Sequence, residues 1–215
     1  MNYCQFRNQT IKRMANAGSV TPILPAEYQQ VEYLQSSGTQ YINIGAISNH
    51  QYYDIDFTWL NYVNNTGGSY GVNGLLGINA YNSQGIPDVK VWLRQNNSIG
   101  SYIGTTTIGA CSINTGVKYN AYFSPTSFKV DNVDYTAGSG QFNASVDCYI
   151  FSIHSRDGDS NKWGCAVKIY NLQTSSINLY PCYRKADNKP GMYDLVTNTF
   201  FTNAGTGEFT VGNNV

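Results

Sequence analysis

Charge is what this sequence has least of. Only 12% of its side chains are charged, with thirteen basic residues against thirteen acidic ones, where an ordinary soluble domain has about twice that share. A chain without net charge has no long-range field to draw it onto nucleic acid or an anionic membrane surface, so neither is expected as a partner. Long apolar runs are missing as well. No stretch approaches the roughly 18 apolar residues of a membrane helix, and the N-terminus lacks the apolar core of a secretory signal. The expectation is synthesis and folding in a cytoplasm, without membrane insertion.

Cysteine is confined to Cys4, Cys111, Cys148, Cys165 and Cys182, an odd set with no C-x-x-C pair. Cys148 and Cys165 fall within strand patterns, which favours reduced, buried thiols over disulfides or a zinc site. His50 and His154 are the two histidines. Neither stands in H-E-x-x-H or near G-x-S-x-G, and Asn65-Thr66-Gly67-Gly68 lacks the Lys and hydroxyl of a phosphate loop. No cofactor and no enzymatic activity are expected.

What is abundant is tyrosine, at 18 residues, together with Asn, Ser, Thr and Gly. Uncharged surfaces of tyrosine and short amides suit recognition of sugars or proteins, because rigid rings make contact at low entropic cost. Tyr and Thr are equally good strand formers. The 215 residues suffice for one large β domain.

Residues 1–22 stand apart. Arg7, Lys12 and Arg13 are basic, no acid occurs, and Phe6, Ile11, Met14 and Ala15 could share one helix face. Ala17 to Ser19 and Thr21 to Pro25 then read as a stop and linker. The segment is expected to be a short helix or arm that anchors the domain on a larger assembly, or else a frayed terminus.

Over residues 23–215 the apolar period becomes two, the mark of half-buried strands. Tyr53, Ile55, Phe57 and Trp59 face one way, and Asp54, Asp56 and Thr58 the other. Val89, Val91 and Leu93 alternate with Lys90, Trp92 and Arg94, and Cys165, Val167 and Ile169 with Ala166, Lys168 and Tyr170, each pattern predicting one wet face. Phe128 to Tyr135 reads as a hairpin turning at Asp131-Asn132. Further strands are predicted at Gln40 to Gly45, Leu75 to Asn79, Val117 to Phe123, Cys148 to His154, Asn178 to Tyr183, Gly191 to Val196 and Thr199 to Thr202. Short strands between Gly- and Asn-rich turns predict an all-β antiparallel sandwich or jelly roll.

Two blocks carry a resemblance. Leu24-Pro-Ala-Glu-Tyr-Gln-Gln-Val-Glu-Tyr-Leu-Gln-Ser-Ser-Gly-Thr-Gln-Tyr-Ile-Asn-Ile-Gly45 is the first. Pro181-Cys-Tyr-Arg-Lys-Ala-Asp-Asn-Lys-Pro-Gly-Met-Tyr-Asp-Leu-Val196, continuing through Phe200 to Phe209, is the second. With Lys168-Ile-Tyr170 they resemble the concanavalin A-like (laminin G-like) domains of bacteriophage or prophage virion proteins and bacterial surface proteins. The resemblance implies a jelly roll whose ends meet, with Tyr41 to Ile44 near Phe200 to Phe209. It also implies a lectin-like module on a virion fibre, tail or capsid that recognises host-surface or mucosal glycans. The implied partners are a glycan receptor, other virion proteins through the N-terminal arm, and further copies of the chain. A purely structural virion protein and a glycoside hydrolase with an unrecognised site are the alternatives.

Glycan-cleaving enzymes of this general fold are similar to one another in carrying paired carboxylates at E-x-D-x-E-type spacing. That segment is absent, and Asp54, Asp56, Asp131 and Asp134 read as solvated strand or turn residues. For a bound sugar, the candidate contacts are Trp92 and Arg94 on one strand face, with Tyr81, Asn82 and Trp163. The competing reading makes Trp92 a second-layer core residue and Trp163 a packed strand start. Asp157 and Asp159 in Asp157-Gly-Asp-Ser-Asn161 are candidate calcium ligands, although Lys162 and Lys168 stand where an EF-hand loop has its Gly and Glu.

Overall fold

The computed structural model describes residues 24–64, 72–79, 88–142, 145–155 and 163–215. The expected N-terminal arm or helix over 1–22 lies outside them. The first strands are β1 (Tyr28–Gln30), β2 (Leu34–Ser37), β3 (Ile42–Ala46), β4 (Tyr53–Asn61), β5 (Val72–Asn79) and β6 (Val89–Arg94). Next come β7 (Ser98–Ile103), β8 (Thr106–Ser112), β9 (Lys118–Ser124), β10 (Ser127–Val130), β11 (Val133–Asp134) and β12 (Asp147–Ile150). The last are β13 (His154–Ser155), β14 (Ala166–Thr174), β15 (Asn178–Arg184), β16 (Lys189–Asp194), β17 (Thr199–Thr202) and β18 (Thr210–Val211).

These strands form an all-β sandwich of two antiparallel sheets. The larger runs β11-β10-β9-β4-β14-β15-β16-β17, with β1 added on β15, β2 on β14 and β18 on β2. The smaller runs β3-β12-β5-β6-β7-β8, with the short β13 lying parallel on β5.

Strand β4 shows how the sequence dictates this arrangement. Its alternate residues Tyr53, Ile55, Phe57 and Trp59 are all at most 1% exposed and point into the space between the sheets. There they join Leu76, Ile78, Val89, Val91 and Leu93 from the smaller sheet and Val167 and Ile169 from β14. Burial of four large side chains from one strand contributes on the order of 2 kcal/mol each.

The opposite faces are drier than alternation alone predicts. Asp54 and Thr58 are each 5% exposed, because long neighbours on β9 and β14 cover them. Trp92 is likewise 5% exposed. Its indole lies over β7 at Gly100, where a Cβ would come within 2.3 Å of the ring.

The Asp131-Asn132 turn joins β10 to β11 with φ of 49° and 65°, the two positive values of a tight primed hairpin turn. The stretch Cys148 to His154 is not one strand. Phe151 adopts a φ of 67° between β12 and β13 and turns the chain after Ile150. The two ends of the sandwich do meet: Ala204 N donates to Tyr41 O at 2.9 Å, and β18 pairs with β2. Cys111, Cys148, Cys165 and Cys182 are free thiols, the last three buried. Burial pushes Cys148 and Cys182 up to about 12 and Cys111 up to about 11.

Candidate functional site

The outer face of the larger sheet is built around a fork. On one side β14 pairs with β4 along its length. On the other side its first half pairs with β2, ending at Ile169↔Leu34, and its last residues pair with β15, starting at Leu172↔Leu179. Between those partners lie Tyr170 and Asn171. A bulge against β4 falls at the same place, since Ile169 faces Phe57 and Asn171 faces Asp56 with Tyr170 as the extra residue. A bulge of this kind re-aims side chains, and here it sets Tyr170 and Asn171 next to each other in the fork.

A groove of about 520 Å³ opens there, lined by Glu32, Tyr33, Lys118, Tyr170, Asn171 and Tyr180 among others. Its volume falls within the range of about 300–1,000 Å³ typical of small-ligand sites. Along one wall, the Tyr33 and Tyr170 rings meet edge-on at 5.7 Å. Lys168 Nζ lies 4.0 Å from the Tyr33 ring centroid, and Lys118 Nζ lies 4.2 Å from that of Tyr170. Tyr170 Oη and Thr58 Oγ1 share a hydrogen bond of 3.1 Å.

Asp56 lies next to the groove, in contact with two of the residues that line it, Asn171 and Lys118. Its Oδ1 accepts from Asn120 Nδ2 at 2.9 Å and its Oδ2 from Asn171 Nδ2 at 3.4 Å, with Lys118 Nζ 3.5 Å from Oδ2. The same Asn120 Nδ2 donates to Asp54 Oδ1 at 2.7 Å. Two carboxylates of β4 are thus tied to one amide, and the side chains that hold them project from the two strands on either side, β9 and β14. Amides, carboxylates and an ammonium beside tyrosine rings supply donors and acceptors for hydroxyl groups together with apolar ring faces.

The smaller sheet holds the residues singled out from sequence. Trp92 and Arg94 share its outer face, with the Arg94 guanidinium carbon 4.1 Å from the indole centroid. Trp92 Nε1 and Arg94 Nε are buried and have no hydrogen-bond partner among the described residues. Trp163 comes near the same face, 5.7 Å from Lys90 Nζ, which also binds Asn79 Oδ1 at 2.6 Å and Asp88 Oδ2 at 2.8 Å. Tyr81, Asn82, Asp157 and Asp159 lie outside the described residues. Among the described residues, no group of three or more His, Cys, Asp or Glu side chains could hold a metal ion.

Sequence reasoning passed over Tyr33, Lys118, Asn120, Tyr170 and Asn171. The alternation Lys118-x-Asn120-x-Tyr122 facing Asp54-x-Asp56 was a usable signal. The bulge at Tyr170 shows in the residue pattern only as a step from two to three between the core residues Ile169 and Leu172.

No family model and no curated protein matches the chain. Among solved structures it is similar to a Trypanosoma rangeli sialidase in complex with sialic acid, at 14% identity and a TM-score of 0.48, covering 68% of this chain and 26% of that one. A mutant of that sialidase displaying trans-sialidase activity matches at 12% identity and a TM-score of 0.42, covering 63% and 20%. Another Trypanosoma rangeli sialidase structure matches at 11% identity and a TM-score of 0.42, covering 78% and 35%. The chain thus spans between about a fifth and a third of the length of these proteins. The sequence-based expectation of a protein without enzymatic activity is corrected here, because the structures matched are those of enzymes. A likeness of this degree transfers no activity to this chain.

Proposed function

We propose that this chain binds carbohydrate on the outer face of its larger sheet, in the groove where β2 and β15 part on β14. The observation that carries the reading is Asp56, held by Asn120, Asn171 and Lys118 directly beside Tyr170. Sugar hydroxyls require paired donors and acceptors, the apolar face of a sugar ring requires an aromatic neighbour, and the groove offers both within one concavity. Glycan-array screening followed by titration calorimetry tests it. Tyr170→Ala and Asn171→Ala should each weaken binding by about tenfold or more, with the melting temperature nearly kept. Equal affinity in folded variants and wild type would overturn the assignment.

The Trp92, Arg94 and Trp163 face of the smaller sheet is the competing location for the same activity, and Trp92→Ala separates the two. The likeness of the two end blocks to virion and surface domains supports a receptor-binding use, in which the groove meets glycans of a host or mucosal surface. Recovery of the chain with purified particles tests that part.

A second reading, glycoside hydrolysis on this face, is favoured by the Asp54 and Asp56 pair. Sharing one amide donor keeps the two carboxyl groups close, and retaining glycosidases work with carboxyl groups about 5 Å apart. Release of reducing ends from oligosaccharides, abolished by Asp56→Asn, would establish it. No release from any glycan that binds would remove it and leave binding intact.

A further inference from the structure

The polar strip does not stop at the groove. Outward positions recur every second residue along a strand, so β9 carries Lys118, Asn120 and Tyr122 on the same face. Tyr122 is paired with Asp54, as Asn120 is with Asp56 and Lys118 with Thr58. The Tyr122 ring is stacked on Tyr52 at 5.7 Å and 21°, and Lys129 of β10 is its neighbour on the far side. The face therefore has a tyrosine pair at each end, Tyr33 with Tyr170 and Tyr52 with Tyr122. The amide-tethered carboxylates Asp56 and Asp54 lie between them.

Four residues of strand separate Asp54 from Thr58, about 13 Å at ~3.3 Å per residue. One sugar ring cannot touch both tyrosine pairs. We propose that Tyr52 and Tyr122 form a second subsite, and that the ligand of this face is an extended, uncharged oligosaccharide lying along β9 and β4. The inference rests on the carbohydrate reading of the groove. An uncharged chain fits because the strip and groove set Lys118, Lys129 and Lys168 against Asp54, Asp56 and Glu32, leaving no surplus charge among these side chains to attract an ionic ligand. Its hydroxyls would meet Asn120, Asn171 and the two carboxylates, and its ring faces the tyrosines.

The test is titration of wild type, Tyr122→Ala, Tyr52→Ala and Tyr170→Ala with cello-, xylo- and manno-oligosaccharides of increasing length, each variant first checked by thermal melting. Affinity in wild type should rise by about tenfold or more from disaccharide to long chain in the series that binds. Tyr122→Ala or Tyr52→Ala should remove that gain and leave disaccharide affinity within about twofold. Tyr170→Ala should weaken every length. Affinity independent of length, or a gain that survives both Tyr52→Ala and Tyr122→Ala, overturns the second subsite while the groove stands. Failure of every neutral chain to bind wild type, with acidic glycans binding instead, overturns the ligand class proposed here. Failure of all glycans overturns the carbohydrate reading itself.

Discussion

Lys118 lies over the ring of Tyr170, its Nζ 4.2 Å from the centroid and 3.5 Å from Asp56 Oδ2. The Lys118 and Asp56 side chains are 52% and 26% exposed, so water screens the pair and its net contribution is small. Lys118→Ala should change unfolding free energy by less than about 1 kcal/mol in a denaturant melt. A larger loss would mean that the ammonium is what holds Asp56 and Tyr170 in place.

The β4 side chains facing inward predict a different scale. Trp59→Ala or Phe57→Ala should cost about 3–5 kcal/mol, since both residues are at most 1% exposed in a closed core. Urea unfolding measures this directly. A cost under about 1 kcal/mol would contradict the packing described.

Asp194 is fully buried and accepts from the backbone N–H groups of Asn178, Val196 and Thr197 at 2.7, 3.1 and 3.1 Å, as well as from the Thr197 hydroxyl. Asp194→Ala removes the acceptor from all of these donors at once. It should destabilise by about 3 kcal/mol or more, comparable to a core truncation, although no apolar contact is lost. Thermal melts of Asp194→Ala and Asp194→Asn compare complete with partial loss of acceptors.

His50 predicts a pH dependence. It is 3% exposed, with Nδ1 bonded to the hydroxyls of Thr174 at 3.0 Å and Ser176 at 2.8 Å. Its Nε2 is buried and out of hydrogen-bond geometry, although the Ile44 carbonyl is close enough to offset part of the effect of burial. Burial lowers the folded-state pKa below the ordinary 6.5. The neutral ring is the form that fits, so its contribution to stability is complete above about pH 6.5. It is lost as pH falls from there towards the lowered folded value, where the unfolded chain takes up the proton more readily. Stability curves measured across this window should slope downward into acid, and His50→Gln should flatten that slope. An unchanged slope in His50→Gln would assign the effect to other groups.

Much of the fold was legible because its signal is local. The Tyr53 to Trp59 alternation, the β6 alternation and the Asp131-Asn132 turn are each set by a few neighbouring residues, and each appears where expected. The hairpin of β7 and β8 was missed because Ser98 to Ser112 is rich in Ser, Thr and Gly, with few apolar residues to set a period. Trp92 and Arg94 were correctly assigned to one face. The burial of Trp92 bears out the competing reading of it as a second-layer core residue, and what decides between the two is Gly100, a residue of the next strand that has no side chain to hold the indole away. The groove was hidden for a similar reason, since it arises where β2 and β15 divide one side of β14, and that pairing is a property of distant segments.

The proposed ligand site lies over β9, β4 and β14. It is tested most directly by the amide and side-chain NMR spectrum of the protein during titration with a glycan that binds. The side-chain amides of Asn120 and Asn171 and the backbone amides of Lys118 and Tyr170 should shift in proportion to occupancy, with the indole signals of Trp92 and Trp163 unmoved. Shifts confined to Trp92, Arg94 and Trp163 would move the site to the smaller sheet and contradict the account.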